Sequence, residues 1–373
     1  MARLDLSANK VMVMSLLILC RVTKNPQVPL IPPTRPPAIS VLMPVYNAEA
    51  TLDEALSSLA AQTLGDFEIV AVDDGSTDAT PAILAAWQKS EKRLRVIRIA
   101  HAGVPTALQV GLEACRAPLI ARMDADDRAY PTRLAAQAEF LRAHPQVAVL
   151  GTRVALHPKG MNGEGMRVYL EWQNRLLTDE QIRREIFIES PFVHPSVMFR
   201  REAVERVGGY RSVPWLEDYD LWLRLYLEGV RFAKLPQTLL LWRDHAERVT
   251  RRDKRASLEN LLRLKAHYLA LGPLRGRESI IVWGAGMTGR RLGKLLLRAG
   301  LPVVAFVDID PQKIGKTRHG RPIFAAEELP RLWKAHPSPA VIVAVGARRA
   351  RALIRPRLTE WGLCEGQDWW FAA

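Results

Sequence analysis

Cysteine is scarce in this chain: Cys20, Cys115 and Cys364 are odd in number and far apart. That excludes a disulfide framework, offers no zinc-ligand spacing and suits a reducing compartment. Long apolar runs are missing as well, and none approaches the roughly 20 residues that span a bilayer. The nearest is Val11 to Cys20, flanked by Lys10 and Arg21. No small-residue cleavage site follows it, and Leu19 stands where a lipoprotein signal would carry a small residue. The reading is an N-terminal extension, loosely structured or resting on a membrane surface. It is joined to the rest by a Pro-rich spacer from Pro26 to Pro37. Basic patches interleaved with aromatics are also lacking, so nucleic acid is not an expected partner. Acidic residues are outnumbered, 39 against 53 Lys and Arg. The resulting charge of +14 calls for some other anion, such as nucleotide phosphates or a membrane surface.

With 373 residues the chain exceeds one ordinary core, and its 48% hydrophobic and 25% charged content is that of a globular protein. From Ile39 onward, short apolar runs alternate with helical patterns. Ile39 to Met43, Phe67 to Val72, Leu94 to Ile99 and Leu119 to Met123 read as strands, with helices near Glu49, over Ala79 to Trp87 and over Thr106 to Cys115. That alternation implies an α/β fold with a parallel sheet, and ligands bind beyond the carboxyl ends of such strands. Each run ends in polar residues: Pro44-Val-Tyr-Asn47, Asp73-Asp-Gly-Ser-Thr-Asp78, His101-Ala-Gly103 and Met123-Asp-Ala-Asp-Asp127. Three carboxylates within four residues repel one another unless something positive sits among them, and Mg²⁺ or Mn²⁺ prefers such ligands. The competing reading is a solvated turn or helix cap, with Asp127 or Thr132 accepting backbone N–H groups.

Ile39-Ser-Val-Leu-Met-Pro-Val-Tyr-Asn47, Asp73 to Asp78, Met123 to Asp127 and Glu217-Asp-Tyr-Asp-Leu-Trp222 follow the order and spacing of family 2 glycosyltransferases. The resemblance runs from about Pro37 to Arg251. It implies a GT-A fold, a mixed sheet with flanking helices. Pro44, Tyr46, Asn47 and Glu49 then border the nucleotide. Asp73 and Asp74 accept hydrogen bonds from base and ribose, with charge-assisted strength. His101 replaces the family's usual Asn beside Gly103, and Gln109 stands where the next helix often carries Asn, which leaves the base open. Asp124 is placed near ribose and metal, and Asp126 is placed as the direct metal ligand. The Trp242-Arg243-Asp244-His245 element resembles the family's closing motif and offers His245 or Arg243 to the metal or the diphosphate. His194, in Pro191-Phe-Val-His-Pro-Ser196, is placed near the acceptor; a hydrogen-bonded structural histidine is the alternative. Inverting transfer needs a carboxylate base. The family places that base at Asp218, with Glu217 or Asp220 supporting, although Asp220 also stands four residues from Arg224 and suits an ion pair.

After a basic connector helix, Arg251 to Ala270, the grammar restarts. Ser279 to Trp283 reads as a strand, Gly284-Ala-Gly286-Met-Thr-Gly289 as a Gly-rich turn, Arg290 to Ala299 as a helix, and Pro302 to Val307 as a strand ending at Asp308. This resembles the nucleotide-binding half of sugar-modifying enzymes. Gly284, Gly286 and Gly289 either approach a phosphate or merely allow tight helix–sheet packing. The expected organisation is an extension and linker (1–37), a GT-A domain (38–250), a connector (251–273) and a Rossmann-like domain (274–373).

The expected activity is inverting, Mn²⁺- or Mg²⁺-dependent transfer of a sugar from a UDP-sugar or similar donor to a saccharide or lipid-linked acceptor. It would serve surface polysaccharide assembly, in the cytoplasm or peripherally on the cytoplasmic face of the membrane. The alternatives are a low-turnover sugar-nucleotide binding or scaffold protein, or a separate NAD-linked activity in the second domain. Sequence leaves the donor sugar, the acceptor and the oligomeric state open.

Overall fold

The first strand, Ile39–Val45 (β1), is buried at all but one position. A run this apolar has no solvent face to alternate with, so it belongs in the middle of a covered sheet. The computed structural model describes residues 35–158, 163–245, 253–347 and 349–373. The expectations for Val11 to Cys20, for the Pro-rich run before residue 35, and for Arg251 lie outside them.

β1 is followed by α1 (Leu52–Ala60), β2 (Phe67–Asp73), α2 (Thr80–Ser90), β3 (Leu94–Arg98), α3 (Val104–Ala114) and β4 (Leu119–Arg122). The four strands pair in parallel in the order β3-β2-β1-β4. Helix α1 buries Leu52, Leu56 and Leu59, a stripe at helical spacing. Helix α3 lies close against β1, because a Cβ at Gly111 would come 2.3 Å from Leu42 Cδ1.

Beyond β4 the sheet becomes mixed. The chain continues through β5 (Arg128–Ala129), α4 (Arg133–Ala143), β6 (Val147–Leu156), α5 (Glu164–Arg175), α6 (Asp179–Glu185), β7 (Met198–Arg200), α7 (Arg201–Arg206), α8 (Glu217–Leu227) and β8 (Arg231–Trp242). The eight-stranded order is completed as β4-β7-β6-β8-β5. β7 is antiparallel to β4 and β6, β6 is parallel to β8, and β5 is antiparallel to β8. Thr152 to Thr178 is polar and Gly-containing in sequence, yet β6 extends to Leu156 and α5 follows. Helix α5 is hard to read from sequence because it is mostly polar and fully buries only Leu170 and Gln173, with Met166 and Tyr169 half-buried beside them. β8 does not stand out in the sequence either. It carries Pro236, and the β6–β8 register slips between Thr152 and Arg153, so the proline falls in an irregularity rather than in the ladder.

The second sheet is built from β9 (Ser279–Trp283), β10 (Val303–Asp308), β11 (Thr317–Arg318), β12 (Arg321–Ala325), β13 (Pro339–Val343) and β14 (Trp369–Phe371). Its order is β11-β12-β10-β9-β13-β14, parallel apart from the β11–β12 hairpin. The helices of this half are α9 (Leu258–Leu271), α10 (Met287–Arg298), α11 (Leu329–Ala335) and α12 (Ala350–Glu360). Both sheets belong to one compact unit, Pro37–Ala373. Lys265 of α9 is buried at their junction and donates to Ile188 O (2.7 Å) and Ala372 O (3.0 Å). Burial pushes its ammonium down to about 8. Glu185 adds a second tie, accepting Trp172 Nε1 (2.7 Å) and Arg355 (2.5 Å). Among the described residues no helix is long and apolar enough to cross a membrane.

Candidate active site

The site lies where the first sheet's strands end. After β1 the chain turns at Asn47, which takes a positive φ of 46°. This turn is tied to the loop after β2. Asn47 N–H donates to Ser76 Oγ (3.0 Å), Thr77 N–H to Asn47 Oδ1 (2.8 Å) and Ala79 N–H to Glu49 Oε2 (2.9 Å). Asp73 and Asp74 are both buried. Asp73 Oδ1 accepts Ser76 N–H (2.9 Å), while Asp74 accepts Ala102 N–H (2.8 Å) and Gly103 N–H (2.9 Å). Asp74 therefore fixes the His101–Gly103 loop, and its remaining lone pairs are all it has for a ligand. Gly75 is needed here, since at φ 73° its Cβ would lie 2.7 Å from His101 N. His101 Nδ1 stands 3.0 Å from Asp74 Oδ2, and its ring stacks on exposed Tyr46 at 4.2 Å between centroids. Pro44, Tyr46, Asn47, Glu49, Asp73, Asp74, His101 and Gly103 thus form one connected rim.

The acidic run occupies the turn between β4 and β5. Ligand atoms of Asp124, Asp126 and Asp127 all lie within 4.8 Å of one another. The β5–β8 pairing, Arg128 opposite Leu241, carries the end of β8 back over this turn. His245 Nε2 consequently reaches Asp126 Oδ2 at 2.8 Å. Arg243 braces the turn from the same segment, its N–H donating to Asp127 Oδ1 (2.8 Å) and its Nε to Asp126 O (2.8 Å). Arg243 also bonds Glu54 Oε2 at 2.6 Å. Asp127 is buried and is the carboxylate given over to holding the turn. Asp124 and Asp126 are the less buried carboxylates of the trio, a donor chemistry that fits Mn²⁺ or Mg²⁺, and His245 stands beside Asp126 as a candidate imidazole donor.

Two arginines under the acidic turn escaped sequence reading. Arg122, the last residue of β4, is 3% exposed and is ion-paired with Asp124. Burial works against its charge, but Asp124, with Tyr210 and Glu217 beyond, holds the guanidinium above its ordinary value. Arg133 is fully buried on α4; its NH2 donates to Arg122 O (2.6 Å) and its Nε to Gln137 Oε1 (3.1 Å). Burial, only partly offset by Asp127, lowers it to about 9. For Arg122 the available signal was an ionisable residue inside an apolar strand run, which is rare without a partner; Arg133 opens a helix and carried no such signal.

Helix α8 brings the third group. Glu217 is buried and paired with Arg255 NH1 at 3.0 Å. Desolvation nonetheless raises its carboxyl. Asp218 keeps a partly exposed edge, and burial together with the Glu217 charge pushes it up to about 7. Asp220 lies deeper. It pairs with Arg224 Nε (2.8 Å) and accepts Tyr268 OH (2.6 Å) and Trp215 Nε1 (2.8 Å), which makes it part of the scaffold. His194 is buried with Nε2 2.9 Å from Tyr210 OH, and burial and the Arg122 charge lower it well below its ordinary value. It is therefore neutral near pH 7. Tyr210 is placed by Gln109, whose Oε1 accepts its N–H at 2.8 Å.

The Gly-rich turn lies on the second sheet. Gly284 has φ 110°, and a Cβ there would come 2.9 Å from Ala344 O; a Cβ at Gly289 would meet Gly284 O at 1.7 Å. Close packing therefore accounts for both. A Cβ at Gly286 meets nothing within 4 Å. Asp308, the acid after β10, accepts Ala285 N–H (2.7 Å) and Asp310 N–H (3.0 Å) and lies 3.3 Å from Lys313 Nζ. It closes the turn.

Comparison with known proteins bears on the family and the fold. Residues 40–208 match the family model for glycosyl transferase family 2. The chain is 33% identical over 244 residues to the amylovoran biosynthesis glycosyltransferase AmsE of Erwinia amylovora, covering 64% of this chain and 89% of that protein. It is 28% identical over 219 residues to an Escherichia coli UDP-Gal:alpha-D-GlcNAc-diphosphoundecaprenol beta-1,3-galactosyltransferase, covering 58% and 78%. Among solved structures, TarS 1-349 of S. aureus in complex with UDP-GlcNAc superposes with a TM-score of 0.52 at 20% identity, covering 70% of this chain and 72% of that one. Against the longer TarS chain, the match covers 64% of this chain and 40% of that one, at a TM-score of 0.50 and 23% identity. These structures share the fold with this chain. By sequence, the chain belongs to glycosyl transferase family 2 and is a glycosyltransferase.

Proposed function

We propose that this protein is a metal-dependent, inverting glycosyltransferase. It transfers a sugar from a nucleotide-diphosphate donor, a UDP-sugar, to a saccharide or lipid-linked acceptor during surface-polysaccharide assembly. One observation carries the reading. A histidine 119 positions away in sequence is folded onto the acidic turn, giving Asp124, Asp126 and His245 at the mouth of the same sheet that holds the Asp73–Asp74 rim. The names of the relatives support the substrate class, one being an amylovoran-biosynthesis enzyme and another using UDP-Gal with a diphosphoundecaprenol acceptor.

In this reading Asp124, Asp126 and His245 hold Mn²⁺ or Mg²⁺, which supplies positive charge to the leaving diphosphate. Tyr46, stacked beside His101, offers an aromatic face to the base, and Asp73 offers oxygens to base and ribose. Asp218 accepts the proton of the acceptor hydroxyl as its oxygen attacks the anomeric carbon. The bond from that carbon to the diphosphate breaks on the opposite face, the electron pair leaves with the diphosphate, and configuration inverts. A value near 7 lets Asp218 be a carboxylate at working pH while remaining basic enough to take the proton. Glu217 and Arg255 set the field around it, and neutral His194 contributes as a hydrogen-bonding wall.

The test is a nucleotide-sugar panel scored by thermal stabilisation and by donor hydrolysis, with and without Mn²⁺. The reading expects at least one donor to stabilise the protein only with metal. It also expects hydrolysis to vanish on adding chelator and in Asp126→Ala. Full activity in chelator would overturn the metal assignment.

A further inference from the structure

Helix α10 carries an uncompensated positive face. At about 100° per residue, Met287, Arg290, Arg291, Lys294 and Arg298 fall within one arc, opposite the buried Gly289, Leu292, Gly293 and Leu296. Arg290, Arg291, Lys294 and Arg298 line a shallow concavity of about 380 Å³ with His319 and Glu259. Glu259 is the carboxylate of that wall, and it already pairs with Arg263 Nε at 3.2 Å. Among the described residues the four cationic side chains of α10 have no ion-pair partner. Like charges three and four residues apart repel along a helix, and Arg290 and Arg291 stand near the positive end of its dipole. The fold accepts this repulsion on a face that packing leaves open. His319, at the turn of the β11–β12 hairpin, extends the rim and bonds Arg290 O at 2.8 Å.

We propose that this face docks the protein on an anionic phospholipid surface. Long side chains in an open arc, with Arg290, Lys294 and Arg298 exposed and Arg291 half-buried, suit an array of headgroup phosphates, while a compact phosphate site would bury its donors. Exposed Met287, one turn from Arg290 and Arg291, gives the arc an apolar tip at the headgroup boundary. No Phe, Tyr or Trp lines the concavity, and the one ring there, His319, is tied to Arg290 O, so base stacking has a poor platform. The inference goes beyond the transfer reaction and holds whether or not the donor assignment does.

The experiment is co-sedimentation of the full chain with vesicles of phosphatidylcholine alone or with about 30 mol% phosphatidylglycerol. Binding is expected to the anionic vesicles alone and to weaken sharply at high salt. Each cation is worth about fivefold in partitioning, so Arg291→Gln with Lys294→Gln lowers binding about 25-fold, as does Arg290→Gln with Arg298→Gln. Replacing all three arginines by lysine keeps it. Thermal midpoints of the variants, unchanged within about 2 °C, show that folding is intact. Unaltered binding in both double variants would overturn the proposal, because residues 1–37 are retained in each. Equal binding to neutral vesicles would overturn it too. Stabilisation by pyrophosphate that depends on these cations, without vesicle binding, would replace the lipid by a soluble phosphate ligand.

Discussion

His245 Nε2 lies 2.8 Å from Asp126 Oδ2, across 119 positions of sequence. The contact exists because β5 and β8 pair, and it sets an imidazole on the proposed metal site, at a turn that sequence alone could read as a cap. Replacing Asp126 by Asn is predicted to lower kcat by about 10²–10³-fold. The metal-free thermal midpoint should stay within about 2 °C, since the carboxylate is partly exposed. His245→Ala should raise the Mn²⁺ concentration for half-maximal activity about 10–100-fold. Titrations of donor hydrolysis against Mn²⁺ check both. A His245→Ala enzyme with the parent's metal dependence would remove His245 from the metal set.

Asp218 as the proposed base makes a pH prediction. With Asp218 near 7, kcat/KM should fall about tenfold per pH unit below that value, since only the carboxylate can take the proton. Two neighbours act in opposite directions. The Glu217 charge raises Asp218 and the Arg122 charge lowers it. Glu217→Gln should thus move the acid limb to lower pH and Arg122→Gln should move it higher. Limbs that move together, or a limb unaffected by either change, would point to a different group.

The same shift has a consequence for stability. A carboxyl raised from 3.8 to about 7 binds its proton more tightly when folded. Stability is therefore lost as pH rises through that window, and the cost is complete above about 7. Asp218→Asn should abolish transfer yet raise the thermal midpoint at pH 8, with little change at pH 4. A midpoint that drops at pH 8 would show that the carboxylate is stabilised where it sits.

Much of the first half was readable before the structure. Ile39, Val41, Val70 and Ile120 are apolar because both faces of the sheet are covered, and a covered strand announces itself as an unbroken run. Polar residues at the strand ends were readable for the complementary reason, that nothing in packing requires them there. Arg122 and Arg133 were not, because a buried cation is explained only by partners that tertiary folding supplies. The bracing role of Asp127 was hidden likewise, its partner Arg243 arriving just beyond a strand whose proline masked it. His194 shows a different limit. A histidine before proline looks alike whether it faces substrate or Tyr210, and the 2.9 Å contact is what sequence cannot supply.

The Gly-rich turn of the second sheet can be divided residue by residue. At Gly289 an added Cβ meets Gly284 O at 1.7 Å, a clash with backbone that no side-chain rotation relieves. Gly289→Ala should cost about 1–3 kcal/mol, read by chemical denaturation of the full chain. At Gly286 the space is open and φ is −74°, so Gly286→Ala should change stability by no more than about 0.5 kcal/mol. The pair separates packing from ligand approach. If Gly286→Ala leaves stability alone but removes stabilisation by a nucleotide or sugar nucleotide, the turn cradles a phosphate. If the nucleotide effect is the same in parent and variant, packing is its whole purpose. In that case the parallel sheet around it serves as a scaffold joined to the transferase half through Lys265 and Glu185.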